Sequence, residues 1–106
     1  MNLLYKSTRD AEKTVTASQA ILKGLADDGG LFVPVSIPKL PVSLGELKEM
    51  TYQEIAYTVM KEFLTDFTEE ELRTCINRAY DKKFDTEEIA PLVELKDEYI
   101  LELFHG

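Results

Sequence analysis

Apolar residues recur at helical spacing through the middle of the chain. Tyr52, Ile55, Ala56, Val59, Met60, Phe63 and Leu64 fall at i, i+3, i+4 intervals, and Leu72, Cys75, Ile76, Ala79 and Tyr80 repeat the pattern. The link between the two stripes, Thr65-Asp66-Phe67, is too short for anything but antiparallel neighbours, so the stripes are expected to pack on each other as a helical hairpin. Hydroxyl residues followed three positions later by Glu or Gln mark where helices start. Such capping boxes stand at Thr16 with Gln19, Ser43 with Glu46, Thr51 with Glu54 and Thr68 with Glu71. After Thr16, the residues Ala17, Ala20, Ile21 and Leu25 predict one apolar helix face, and the glycines from 24 to 30 predict its stop.

The flanks read differently. Leu3, Leu4 and Tyr5 predict a short first strand, and Ser7-Thr8-Arg9-Asp10 a polar turn. Asp27-Asp28-Gly29-Gly30 is the sharpest turn signal, because adjacent glycines reach positive φ without steric cost, and Leu31-Phe32-Val33 predicts a strand after it. Pro34, Pro38 and Pro41 then stiffen a connector. Toward the end, a short helical stretch over 86–90 is stopped by Pro91. Leu92-Val93-Glu94-Leu95 and the run over 99–104 predict two strands joined through Lys96-Asp97-Glu98. The pattern as a whole predicts one α+β domain over residues 1–106, dominated by helices, with short strands and a central helical hairpin.

Composition narrows the function classes. The 106 residues suffice for one core. Twenty acidic against twelve basic residues give a net charge of −8, with the basic residues scattered, so nucleic acid is not an expected partner. No run approaches a membrane span, and the start lacks a signal sequence, so neither membrane nor export is expected. The single Cys75 fits a reducing, cytoplasmic setting, and its place on the helix stripe predicts a buried small hydrophobe.

Few residues point to chemistry. Glu102 and His105 have the spacing of a helical metal pair, but they sit in a strand-like run where residues three apart point to opposite faces, and no second His exists. No metal site is expected. Glu69-Glu70-Glu71 suits the first turn of a helix, where the macrodipole favours acids. Asp27 and Asp28 lack the further ligands of a calcium loop, so turn formation accounts for them. Ser7-Thr8-Arg9 has the groups to grip a phosphate, though exposed loops commonly look the same. The run over 99–104 delivers His105 and Gly106 to the end of the chain without a cap or closing turn, which reads as the approach to a catalytic loop that lies further on.

Three segments in order carry a resemblance. Tyr5-Lys6-Ser7-Thr8-Arg9, the stretch from Ile21 through Gly24-Leu25-Ala26-Asp27-Asp28-Gly29-Gly30-Leu31 to Pro34, and Leu101-Glu102-Leu103-Phe104-His105-Gly106 resemble the N-terminal part of the threonine synthases. The last segment is similar to the first half of that family's signature, Phe-His-Gly-Pro-Thr-Leu-Ala-Phe-Lys-Asp. The resemblance implies a pyridoxal-phosphate lyase that converts O-phosphohomoserine and water to threonine and phosphate, with the signature lysine holding the cofactor as a Schiff base. That lysine would follow Gly106, so the 106 residues are expected to bind no cofactor and to be inactive alone. The resemblance further implies that His105 and Gly106 lead the chain to the lysine. It makes Asp28, Gly29 and Gly30 candidates for the substrate entrance, and the protein's own catalytic domain the chief partner. The residues over 99–104 would then expose apolar groups and an unpaired edge until that domain covers them, which favours self-association of the isolated chain. The alternative reading is a free-standing acidic interaction module whose helical hairpin offers a groove to a partner helix.

Overall fold

The computed structural model describes residues 2–80 and 92–101. Its first strand, β1 (Tyr5–Ser7), is the middle of a three-stranded antiparallel sheet, flanked by β2 (Asp10–Val15) and β3 (Phe32–Pro34). The strand starts two residues later than its apolar residues suggest. Leu3 is engaged elsewhere, its N–H donating to Thr65 Oγ1 at 2.8 Å, while Ser7 is drawn into the ladder opposite Phe32. Strand β2 is absent from the sequence reading because Asp10, Glu12, Lys13 and Thr14 carry no alternating apolar face. It pairs through its backbone, at an edge where side chains can stay in water. On the opposite edge, Pro34 closes β3, an edge being where a residue without an N–H is tolerated.

Helix α1 (Ala17–Lys23) starts as its capping box predicts, with Thr16 Oγ1 accepting from Gln19 N and Gln19 Oε1 accepting from Thr16 N. Gly24 ends it at φ 79°. Only the start of the expected apolar face is covered: Ala17 is 1% exposed, whereas Ile21 and Leu25 are each 60% exposed. The physical reason is that α1 is anchored at its N-terminus and no described element lies across its far end.

Helix α2 (Leu44–Lys48) is a short turn whose cap runs one way, Ser43 Oγ accepting from Glu46 N without the expected return bond. Helices α3 (Tyr52–Phe63) and α4 (Glu69–Ala79) both open with complete capping boxes at Thr51 and Thr68 and pack against each other as the expected hairpin. Ala56, Leu72 and Ile76 form its buried seam. Cys75, expected on that seam, is exposed, and so is Ala79. The narrow overlap of two short helices covers one residue per turn of α4, Leu72 and then Ile76, and leaves the flanking positions in water. Tyr52 is partly exposed and meets Tyr80 edge-on, ring centroids 5.1 Å apart, which closes the open end of the hairpin.

The link between α3 and α4 fastens this hairpin to the sheet. Tyr5 Oη donates to Phe63 O at 2.7 Å, and Asp66 accepts from the Ser18 amide at 3.2 Å and from the Ser18 hydroxyl, so one carboxylate serves the first turn of α1. These bonds hold the Asp66 carboxyl below the usual carboxylate range, the Ser18 hydroxyl contributing most. Burial, with Asp66 nearby, pushes the Tyr5 phenol up. A second antiparallel pair, β4 (Leu92–Leu95) and β5 (Glu98–Leu101), turns through Lys96 and Asp97, with Asp97 at φ 67°. The expected helical stretch over 86–90 lies outside the described residues.

The seam sets the stability of this small core. Ile76→Ala is expected to cost about 2–4 kcal/mol in urea unfolding, whereas Cys75→Ala, one residue away and exposed, stays within about 0.5 kcal/mol.

Candidate functional site

Two motifs that are separate in the sequence form one cluster. The turn after β1 and the Asp28-Gly29-Gly30 turn before β3 lie side by side because β1 and β3 are paired, Thr8 N donating to Leu31 O at 2.8 Å just past the last ladder pair. The Asp28 carboxylate is the hub. Its Oδ1 accepts from Ser7 Oγ at 2.7 Å and from Gly30 N at 2.9 Å. Ser7 Oγ in turn accepts from Arg9 N at 3.1 Å, Arg9 Nη1 donates to Asp28 O at 2.8 Å, and Thr8 Oγ1 accepts from Leu31 N at 3.1 Å.

Both glycines are required by this geometry. Gly29 sits at φ 83°, and a Cβ there would come within 2.9 Å of Arg9 Nη1. Gly30 is buried, and a Cβ on it would lie 2.2 Å from Ser7 Oγ and 2.9 Å from Thr8 Oγ1. The Ser7 hydroxyl bond, then the Gly30 amide, hold the Asp28 carboxyl below its ordinary value.

Beside the cluster opens a cleft of about 250 Å³, bordered by Ser7, Asp10, Lys13, Lys23, Asp27 and Asp28. Lys23, the last residue of α1, is ion-paired with Asp27 in the turn beyond Gly24. The cleft is bordered by three aspartates and two lysines, one of them paired with Asp27. The Ser7 hydroxyl is committed to Asp28, Arg9 gives one of its five N–H groups to the Asp28 carbonyl, and the Thr8 hydroxyl accepts from Leu31. Of the residues expected at the site, Asp28, Gly29 and Gly30 are brought together here. His105 and Gly106 lie outside the described residues, as do Glu102 and its spacing to His105. Among the described residues no group of acids, histidines or cysteines is gathered to hold a metal, and Glu69 is paired with Arg73 at 2.9 Å. What the sequence reading missed is that Ser7, Thr8 and Arg9 partner the glycine turn. One hydroxyl serves the Asp28 carboxylate, the guanidinium its carbonyl and the second hydroxyl the Leu31 amide, and their meeting follows from the pairing of β1 with β3.

Two outcomes follow from the cluster. Gly30→Ala should drive the Ser7 hydroxyl off Asp28 and lower the urea midpoint by an amount equivalent to about 1–3 kcal/mol. Because the folded Asp28 carboxyl is held below its ordinary value of 3.8, its contribution is complete above that pH and is lost as pH falls through the folded value. In urea titrations from pH 7 downward, Asp28→Asn should therefore show a shallower acid loss than the parent chain, with the difference confined to pH below about 4.

Residues 4–80, which include the whole Ser7 to Gly30 cluster, match the family model described as "Threonine synthase N terminus". The threonine synthase of Schizosaccharomyces pombe is 41% identical over 106 residues, a match spanning 96% of this chain and 20% of that protein. Among solved structures, yeast threonine synthase aligns with a TM-score of 0.82 at 34% identity, over 99% of this chain and 22% of the yeast chain. A pyridoxal-phosphate-bound threonine synthase from Brucella melitensis aligns with a TM-score of 0.81 at 31% identity, over 98% of this chain and 23% of its own. The chain thus spans about a fifth of the length of the relatives it matches. With the α+β architecture, the family match and the structural likeness in agreement, the chain belongs to the threonine synthase N-terminal family.

Proposed function

We propose that this chain is the N-terminal domain of a pyridoxal-phosphate-dependent threonine synthase, a cytoplasmic enzyme of amino-acid biosynthesis that converts O-phospho-L-homoserine and water to L-threonine and phosphate. One observation carries the reading: the fold follows yeast threonine synthase over 99% of this chain yet accounts for only 22% of that enzyme. The reaction accordingly belongs to a whole of which this chain is the leading part, and its first partner is its own catalytic domain.

The Asp28 turn does not fit the cofactor. A pyridoxal phosphate site needs a lysine for the aldehyde and free N–H or O–H donors for the phosphate. Here the Ser7 hydroxyl and the Gly30 amide already donate to Asp28, the Leu31 amide donates to Thr8, and the neighbouring cleft sets three aspartates against Lys13 and the paired Lys23. The Schiff-base lysine of the family signature would instead follow His105 and Gly106, whose part is to lead the chain to it. The turn of Asp28, Gly29 and Gly30 borders the substrate entrance as a wall. Its polar groups are satisfied internally, so it shapes access and does not ligate an anionic substrate. No observation favours the interaction-module alternative, since the seam of the helical hairpin is filled by Leu72 and Ile76.

The test compares the 106-residue chain with the full-length polypeptide, each supplied with pyridoxal phosphate and O-phospho-L-homoserine. Equal amounts of threonine and phosphate are expected from the full-length polypeptide and neither from the 106 residues. Turnover by the short chain would overturn the assignment of catalysis to the rest of the protein, and no threonine from the full-length polypeptide would overturn the assigned reaction.

A further inference from the structure

The helical hairpin and the residues flanking α2 enclose an open cavity of about 370 Å³, a size toward the small end of ligand pockets. Glu54, Tyr57 and Lys61 border it from α3, Arg73 from α4, and Val42 and Met50 from just before and just after α2. Two cations are brought to one ring. The Arg73 guanidinium lies 3.9 Å from the centroid of Tyr57 and the Lys61 ammonium 5.6 Å from it. The two charges therefore stand less than one screening length apart, about 10 Å at 0.1 M salt, and repel each other. Arg73 Nε donates to Glu69 at 2.9 Å, which leaves the terminal N–H groups of Arg73 without a partner among the described residues, and Lys61 has no carboxylate partner among them. In a chain of net charge −8, this is a local concentration of positive charge whose donors are unspent.

One carboxylate borders the same cavity. Glu54 Oε2 accepts from Thr51 N at 3.0 Å in the capping box, which leaves its other oxygen open. Lys61 stands two turns further along α3, and because helical side chains lean toward the N-terminus it lies back over Tyr57, on the side toward Glu54. The two are not paired with each other, so the cavity holds a positive and a negative end with an aromatic ring between them. Val42 and the adaptable thioether of Met50 supply an apolar wall. Thr58 is buried beside them, its hydroxyl donating to Glu54 O at 2.8 Å and lying 3.7 Å from Met50 Sδ. We propose that this cavity binds a free α-amino acid with an apolar side chain. Its carboxylate goes to Lys61 and Arg73, its ammonium to Glu54, and its side chain to Met50 and Val42. A phosphomonoester is the poorer match, since a second negative charge would meet Glu54 and Glu69 beside the two cations. The inference goes beyond the proposed reaction and does not rest on it.

The experiment is NMR of the full-length polypeptide labelled on its methionine methyl groups, with the Met50 resonance assigned through Met50→Leu. The ligands titrated are L-leucine, L-valine and L-phenylalanine, together with two relatives of leucine that keep one charge each, 3-methylbutylamine and 4-methylpentanoate. At least one of the amino acids should move the Met50 resonance saturably. Each one-charge relative should need about tenfold more ligand or higher, the weight of one charge-assisted bond. Lys61→Gln should weaken the amino acid by a similar factor, with Lys61→Arg restoring it. Glu54→Gln should do the same while keeping the helix start, because a glutamine oxygen also completes a capping box. Absence of a saturable shift with all three amino acids would overturn the inference. So would a shift that 4-methylpentanoate reproduces at equal concentration, or that Glu54→Gln leaves unchanged, either of which makes the cavity a simple anion site. A shift that survives Lys61→Gln would overturn it too, by placing the ligand elsewhere. Threonine formation by the same sample is read separately, so loss of the proposed reaction leaves this outcome standing and the reverse holds equally.

Discussion

The fold turns on the short link between α3 and α4, and within it on Asp66. A helical hairpin and a three-stranded sheet have little apolar surface to share in a chain this small, so polar bonds position one on the other. Asp66 closes the first turn of α1, Thr65 receives the Leu3 amide, and the carbonyl at Phe63 receives the Tyr5 hydroxyl. Hydrogen bonds, of which the one to the Asp66 carboxylate is charge-assisted, are directional where hydrophobic contact is not. They therefore fix the orientation of the helices on the sheet, and the helical seam supplies the cohesion.

A second carboxylate repeats the arrangement at the other end of the sheet. Asp28 gathers a hydroxyl and an amide around one oxygen, and the backbone beside it is held by Arg9. Two segments some twenty residues apart are locked into one rigid corner, and the two glycines are what lets them approach that closely. The Asp28 carboxylate, the Ser7 hydroxyl and the Gly30 amide are used on one another within the corner. Its rigidity is its contribution, since a wall that does not move is what an adjoining cleft requires.

How far the sequence announced this differs by element. The three capping boxes at Thr16, Thr51 and Thr68 are local chemistry, complete within four residues, and they gave the helix starts directly. The helical hairpin was legible because its stripe has the helical period. Strand β2 was not, because an edge strand can pair through its backbone with polar side chains, and periodicity is silent there. Cys75 was misassigned for a related reason: a stripe gives the apolar side of a helix but not how much of it a neighbour reaches. The exposed far end of α1 belongs to the same class. At the candidate site, the Asp28-Gly29-Gly30 turn was evident, while its partnership with Ser7, Thr8 and Arg9 depends on β1 pairing with β3, a long-range contact that no local pattern encodes.

The edges of the three-stranded sheet have a consequence for how the chain is made. One edge is the polar β2, and the other is closed by Pro34, which has no N–H to offer, so this sheet has little to offer another strand. Its edges do not capture a neighbouring nascent chain, while its seating waits only for the 63–66 link to which Leu3, Tyr5 and Ser18 are tied. A domain that finishes early gives the growing polypeptide a settled surface from which the rest is organised, the order in which multidomain chains generally fold.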